Sequence, residues 1–171
     1  PPNSQFPIPS SHATGYSDRM AQKITPRSPW HSVLAQLLRD DLTPLGFEVK
    51  QEVEVGRLPL RVDLIIIWTD RVPENLPMPI RMFTVVNIIQ YKSPGDTFNG
   101  DALWTLHAHA LLYLLREKTK NLEGVSLWCL GSKFSRDFEP RLLEAGGRLN
   151  SVTSELDSGT LAGFTLNRLD L

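Results

Sequence analysis

At 171 residues, with 41% hydrophobic and 22% charged side chains, the chain has the make-up of one soluble globular domain, not of a repeat array or a disordered polymer. A net charge of −1 argues against a protein built for tight non-specific nucleic-acid binding, which needs a strong basic excess, but it allows a local basic cleft. The apolar runs are too short to span a bilayer, no secretory h-region stands near the start, and the lone Cys129 cannot form an internal disulfide; no membrane partner and a cytoplasmic setting are expected.

The chain opens Pro1-Pro2 with no Met, as a processed or trimmed start would. Residues 1–27 are rich in Pro and Ser and are expected to form an extended or disordered arm, with the domain occupying residues 28–171. Ser28 suits a helix N-cap and Pro29 a first helical position. Trp30, Val33, Leu34, Leu37 and Leu38 then recur at helical spacing until Thr43-Pro44-Leu45-Gly46 stops the helix. Residues 47–55 alternate apolar and polar, as a half-exposed strand does, and residues 56–59 form a turn. Residues 60–68 are nearly all apolar and predict a central strand. Pro73, Pro77 and Pro79 mark a loop, and residues 81–92 predict a third strand. Residues 93–100 are a loop. Residues 101–120 predict a long helix, apolar on more than one side and so buried between layers. A strand follows at 125–130, then a short helix at 137–145 stopped by Gly146-Gly147, then strands near 148–154 and 161–167. In that fourth strand Cys129 reads as a small buried hydrophobe.

This order predicts an α/β protein with a mixed central sheet flanked by helices. Short links should make the first three strands antiparallel, and the crossover helix should place the fourth parallel to the third.

The densest chemistry lies in Asn87-Ile88-Ile89-Gln90-Tyr91-Lys92-Ser93-Pro94-Gly95-Asp96. Residues two apart in a strand share a face, so Gln90 and Lys92 project together at a strand end. Asp63 heads the preceding apolar strand. An acid on one strand and a Gln/Lys pair on the next can hold a divalent cation beside a fixed ammonium, which suits phosphodiester hydrolysis.

The order helix, strand, Asp-bearing strand, Gln-x-Lys strand, helix, strand resembles the core of the PD-(D/E)XK nuclease superfamily. Pro29-Trp30-His31, Leu45-Gly46, Asp63, Tyr91-Lys92-Ser93-Pro94-Gly95-Asp96 and Ala110-Leu111-Leu112-Tyr113-Leu114 are similar to the recombination-promoting nuclease and transposase-like families of bacteria. The resemblance covers roughly residues 28–130 and implies a restriction-endonuclease-like three-layer core. It implies Mg²⁺ (or Mn²⁺) held by Asp63, Gln90 and the backbone carbonyl of Tyr91, with Lys92 orienting water or stabilising developing charge. DNA is the implied partner and no organic cofactor is implied. Glu is commoner at position 90 of this pattern. Gln90 removes one negative charge and should lower cation affinity.

Other residues have thinner support. His31, Ser93 and His109 are candidate substrate contacts, although His109 also reads as a packed core histidine. His107 and His109 are two apart on a helix and cannot easily share one metal. Asp40, Asp41, Gln36, Glu52 and Glu54 are candidates for a further ligand, or simply solvated surface groups. Two competing functions follow: a metal-dependent DNA endonuclease, or a weak or inactive nuclease-fold module mediating protein or nucleic-acid interactions. A homodimer formed through the first helix is a third expectation.

Overall fold

The computed structural model describes residues 30–54, 61–68, 76–118 and 122–171. The expected arm, the Ser28-Pro29 start, the 56–59 turn and the Pro73 loop lie outside them.

Helix α1 (Trp30–Leu42) buries Ala35 and Leu42 and leaves Trp30, Val33 and Leu37 exposed. Gly46, at φ 87°, turns the chain into β1 (Phe47–Glu54). There Phe47 and Val49 are buried while Glu48 and Lys50 face solvent and pair at 3.1 Å. This is the period-two alternation read from the sequence. Strand β2 (Arg61–Trp68) buries Val62 through Ile66 without a break, as an inner strand must.

The third strand starts later than its apolar pattern suggests. Pro77 and Pro79 lead into a short 3-10 turn at Ile80–Met82, and β3 runs only over Val86–Tyr91. Asn87 explains the delay. Its amide folds back on Thr84, accepting from the Thr84 N–H at 2.9 Å and donating to the Thr84 carbonyl at 2.8 Å. That pairing takes the place of ladder hydrogen bonds.

Helix α2 (Gly100–Glu117) starts at Asn99, whose side chain accepts from the Ala102 N–H, and stops at Lys118 in the left-handed region. Its start is tied to the next helix, because the Gly100 N–H donates to Asp137 at 3.3 Å. The Ser135 hydroxyl, chiefly, with that N–H holds the Asp137 carboxyl below its ordinary value. Strand β4 (Val125–Gly131) is buried throughout. Helix α3 (Phe138–Glu144) buries Phe138 and Leu142.

Three strands, not two, follow: β5 (Arg148–Ser151), β6 (Leu156–Leu161) and β7 (Phe164–Asp170). The sequence reading ran one strand across residues 161–167. The chain instead reverses at Ala162-Gly163, both at positive φ (48° and 89°). Two consecutive positive φ values make the tight turn whose twist matches a hairpin.

The sheet order is β1-β2-β3-β4-β7-β6-β5. Strands β1, β2 and β3 are antiparallel neighbours, β3-β4 and β4-β7 are parallel, and β7-β6-β5 are antiparallel. The α/β class, the antiparallel start and the parallel crossover thus match the sequence reading. One core lies between the sheet and helices α2 and α3, built on Ile65, Ile88, Leu103, Leu106, Leu127 and Phe138. The other lies under α1, built on Leu42, Leu64, Ile66, Ile89 and Trp128. One expectation fails here. Helix α2 is not buried all round: Trp104, Leu111 and Leu115 are 42%, 44% and 74% exposed. The helix covers the sheet with one side only.

Among the described residues no helix is long and apolar enough to cross a membrane.

Candidate active site at the fork of two strands

The β2-β3 ladder runs from Ile67↔Val86 to Leu64↔Ile89 and stops. The next step would pair Asp63 with Gln90. Side chains take over there. Asp63 is 5% exposed, and its Oδ2 accepts from the Tyr91 backbone N–H at 3.1 Å and from Gln90 Nε2 at 2.5 Å. A buried carboxylate requires such donors, because desolvation without them is prohibitive.

Helix α1 brings a third group to the same oxygen. His31 Nε2 stands 3.8 Å from Asp63 Oδ2, and its ring meets Tyr91 edge to face at 5.4 Å. His31, a candidate from its place near the helix start, is thus joined to the fork by packing.

The other amide atom of Gln90 bears on what the fork could hold. Gln90 Oε1 is buried and has no hydrogen-bond partner. An orphaned carbonyl oxygen beside a carboxylate is a pair of hard oxygen donors, the set that Mg²⁺ or Mn²⁺ prefers. On this observation the residues fit a divalent cation, which Asp63 and Gln90 would hold. Among the described residues no group of three or more His, Cys, Asp or Glu side chains is placed to hold a metal ion.

Lys92 follows at the end of β3, half-buried, its N–H bonded to the Leu130 carbonyl at 2.8 Å. Its ammonium makes no ion pair among the described residues. It shares a strand face with Gln90. The loop behind it is fixed twice. Ser93 donates to Asp96 at 2.6 Å, and Phe98 bonds to the segment after β4 through Lys133 and Ser135. Ser93 therefore closes the turn, and its hydroxyl is spent on Asp96.

The remaining candidates separate. His109 is 4% exposed on the buried side of α2. His107 packs edge to face on Phe164, and burial lowers its pKa. Gln36 donates to Asp40 at 2.8 Å on the exposed side of α1. Asp41 edges an apolar cavity of about 190 Å³ beneath α1, lined by Leu38, Phe83 and Trp128. Glu52 has a different standing. Its neighbours Gln51 and Val53 pair with Leu64 and Val62, so its register position is opposite Asp63. The side chains of Glu52 and Glu54 lie outside the described residues.

Sequence reasoning missed one polar centre, beneath the other face of the sheet. Asn87 and Ser126 are fully buried. Trp128 donates to Ser126 at 2.8 Å, Ser126 to Asn87 at 2.7 Å, and Asn87 to the Ile66 carbonyl at 3.2 Å. The signal was available: a lone Asn inside an apolar run.

Comparison with known proteins finds no matching family model, no similar curated protein and no similar solved structure.

Proposed function

We propose that this protein is a metal-dependent nuclease with a restriction-endonuclease-like core, acting in the cytoplasm on DNA. The observation that carries this reading is the fork: a buried carboxylate and an orphaned buried amide oxygen stand where two strands part, with Lys92 two residues further along the chain, just past the end of β3. A bound Mg²⁺ or Mn²⁺ would polarise a phosphodiester and lower the pKa of an attacking water. Asp63 and Gln90 Oε1 would hold that ion, with the Tyr91 carbonyl as a third oxygen. Lys92 would meet the negative charge that develops on the phosphate. His31 would keep Asp63 oriented from the side of α1.

Plasmid DNA incubated with Mn²⁺ tests this. Cleavage by the wild type that falls at least about a hundredfold in K92A supports it, in line with loss of one charge-stabilising group. Equal cleavage by both, or none by either, sinks it.

A second reading has its own support. Gln90 closes on Asp63 by hydrogen bond, and the described fork has a single carboxylate. Such a site suits an inactive nuclease-fold module. Calorimetry with Mn²⁺ separates the two, because the inactive module gives no heat that depends on Asp63.

A further inference from the structure

The exposed face of α2 carries a seam. Asp101, Trp104, Ala108, Leu111, Leu115 and Lys118 follow one another in alternating steps of three and four residues. Over the five that lie on the helix, Asp101 to Leu115, that is the spacing of an a/d stripe, which lines one side of a helix and packs on a second helix, and Lys118 is the cap residue just past its end. All six are exposed, while the other side of α2 is buried against the sheet and α3. The seam runs the length of the helix, about 27 Å for 18 residues. His107 braces it from beside, its ring 6.1 Å from that of Trp104.

We propose that this seam binds α2 of a second copy of the chain, antiparallel, about a two-fold axis. Charge selects both the partner and the direction. In an antiparallel pair each a position faces a d position. Trp104 then meets the partner's Leu115, and Ala108 meets the partner's Leu111. The ends close with Asp101 against the partner's Lys118, twice by symmetry. The seam is therefore self-complementary in shape and charge. A parallel pair would set Asp101 on the partner's Asp101 and Lys118 on the partner's Lys118, like charge on like, and Trp104 on the partner's Trp104. Among the described residues, the exposed stripe of α1 (Trp30, Val33, Leu37) shows no pair of oppositely charged ends of this kind. The pairing rests on α2 alone and stands apart from any reading of the Asp63 fork.

Sedimentation of the full chain tests the pairing. The wild type should run at twice the 19.3 kDa of one chain at micromolar concentration. L111E and A108E should each run as single chains with unchanged circular dichroism, since both positions are exposed. D101K or K118D should weaken the pair by on the order of tenfold, two exposed ion pairs turned repulsive, and the double exchange should restore it. Direction is read by cross-linking. Oxidised mixtures of W104C and L115C proteins should link one variant to the other, and W104C alone should not link to itself. The buried Cys129 does not interfere. A wild-type mass of one chain, an unchanged mass for L111E, or self-linking of W104C overturns the proposal.

Discussion

Asp63 and Gln90 face each other across the first missing rung of the β2-β3 ladder, and the amide of Gln90 donates to the carboxylate. A neutral amide can rest against a buried carboxylate with no cation between them. A second carboxylate could not, because two like charges at that distance repel. Gln90 thus lets the fork fold closed while its Oε1 stays without a hydrogen-bond partner.

That arrangement predicts an opposed effect for Q90E. The added charge should tighten Mn²⁺ binding by about tenfold or more, since ligand charge sets affinity for hard cations. The same change should lower stability without metal by about 1–3 kcal/mol, through repulsion with Asp63. Urea melts with Mn²⁺ and with chelator measure both. A variant whose stability ignores the metal contradicts the assignment of the fork as a cation site.

Asp63 has a structural duty that any activity assay must separate. D63A leaves the Tyr91 N–H and Gln90 Nε2 without their acceptor and should cost about 2–3 kcal/mol. D63N keeps an oxygen for the Tyr91 N–H and should cost roughly half as much. Equal losses in the two, by urea midpoint, would mean that charge alone matters at this position.

Asn87 should be the costliest polar residue to remove. It joins β2, β3, β4 and the Thr84 turn through hydrogen bonds that are shielded from water. N87L should lose about 3–5 kcal/mol, because the Thr84 and Ser126 groups are left buried without it. A loss below about 1 kcal/mol would show that these groups find other partners.

Gly159 is fixed by contact with backbone. A Cβ there would run into the Arg148 carbonyl oxygen on the neighbouring strand. G159A should cost about 3 kcal/mol or more, or detach β5, which amide exchange over residues 148–151 would reveal.

His107 sets a slope in the pH dependence of stability. Burial lowers its pKa from 6.5, so below that pH the unfolded chain binds more protons than the folded one. Its effect is absent above about pH 6.5 and grows as pH falls from there through the lowered folded value. Acidification should therefore destabilise the wild type more than H107Q, by urea melts above and below 6.5. Parallel pH profiles would exclude a role for this ring.

Much of this was legible in the chain. Apolar spacing pointed to α1, the alternation of residues 47–55 to β1, and the long helix read over 101–120 to a parallel crossover, with ends one to three residues off those observed. Period two placed Gln90 and Lys92 on one face. What stayed hidden was set by tertiary context. Ala162 adopts the left-handed turn that Gly or Asn usually signals, so two strands read as one. Asn87 bends the chain through its own amide, which strand propensity does not register. Helix α2 is apolar on more than one side, and composition cannot tell a side buried in its own core from an exposed one. His31 comes within 3.8 Å of Asp63 from a separate helix, a proximity that spacing along the chain cannot report.

The amide proton of Tyr91 is held by a carboxylate instead of a strand carbonyl. Its exchange with solvent deuterium is therefore coupled to whatever happens at Asp63. A cation drawing the carboxylate aside should quicken exchange at Tyr91. Ile88 and Ile89, inside the ladder, should keep their slow rates. One backbone position thus serves as an isotopic gauge of the fork.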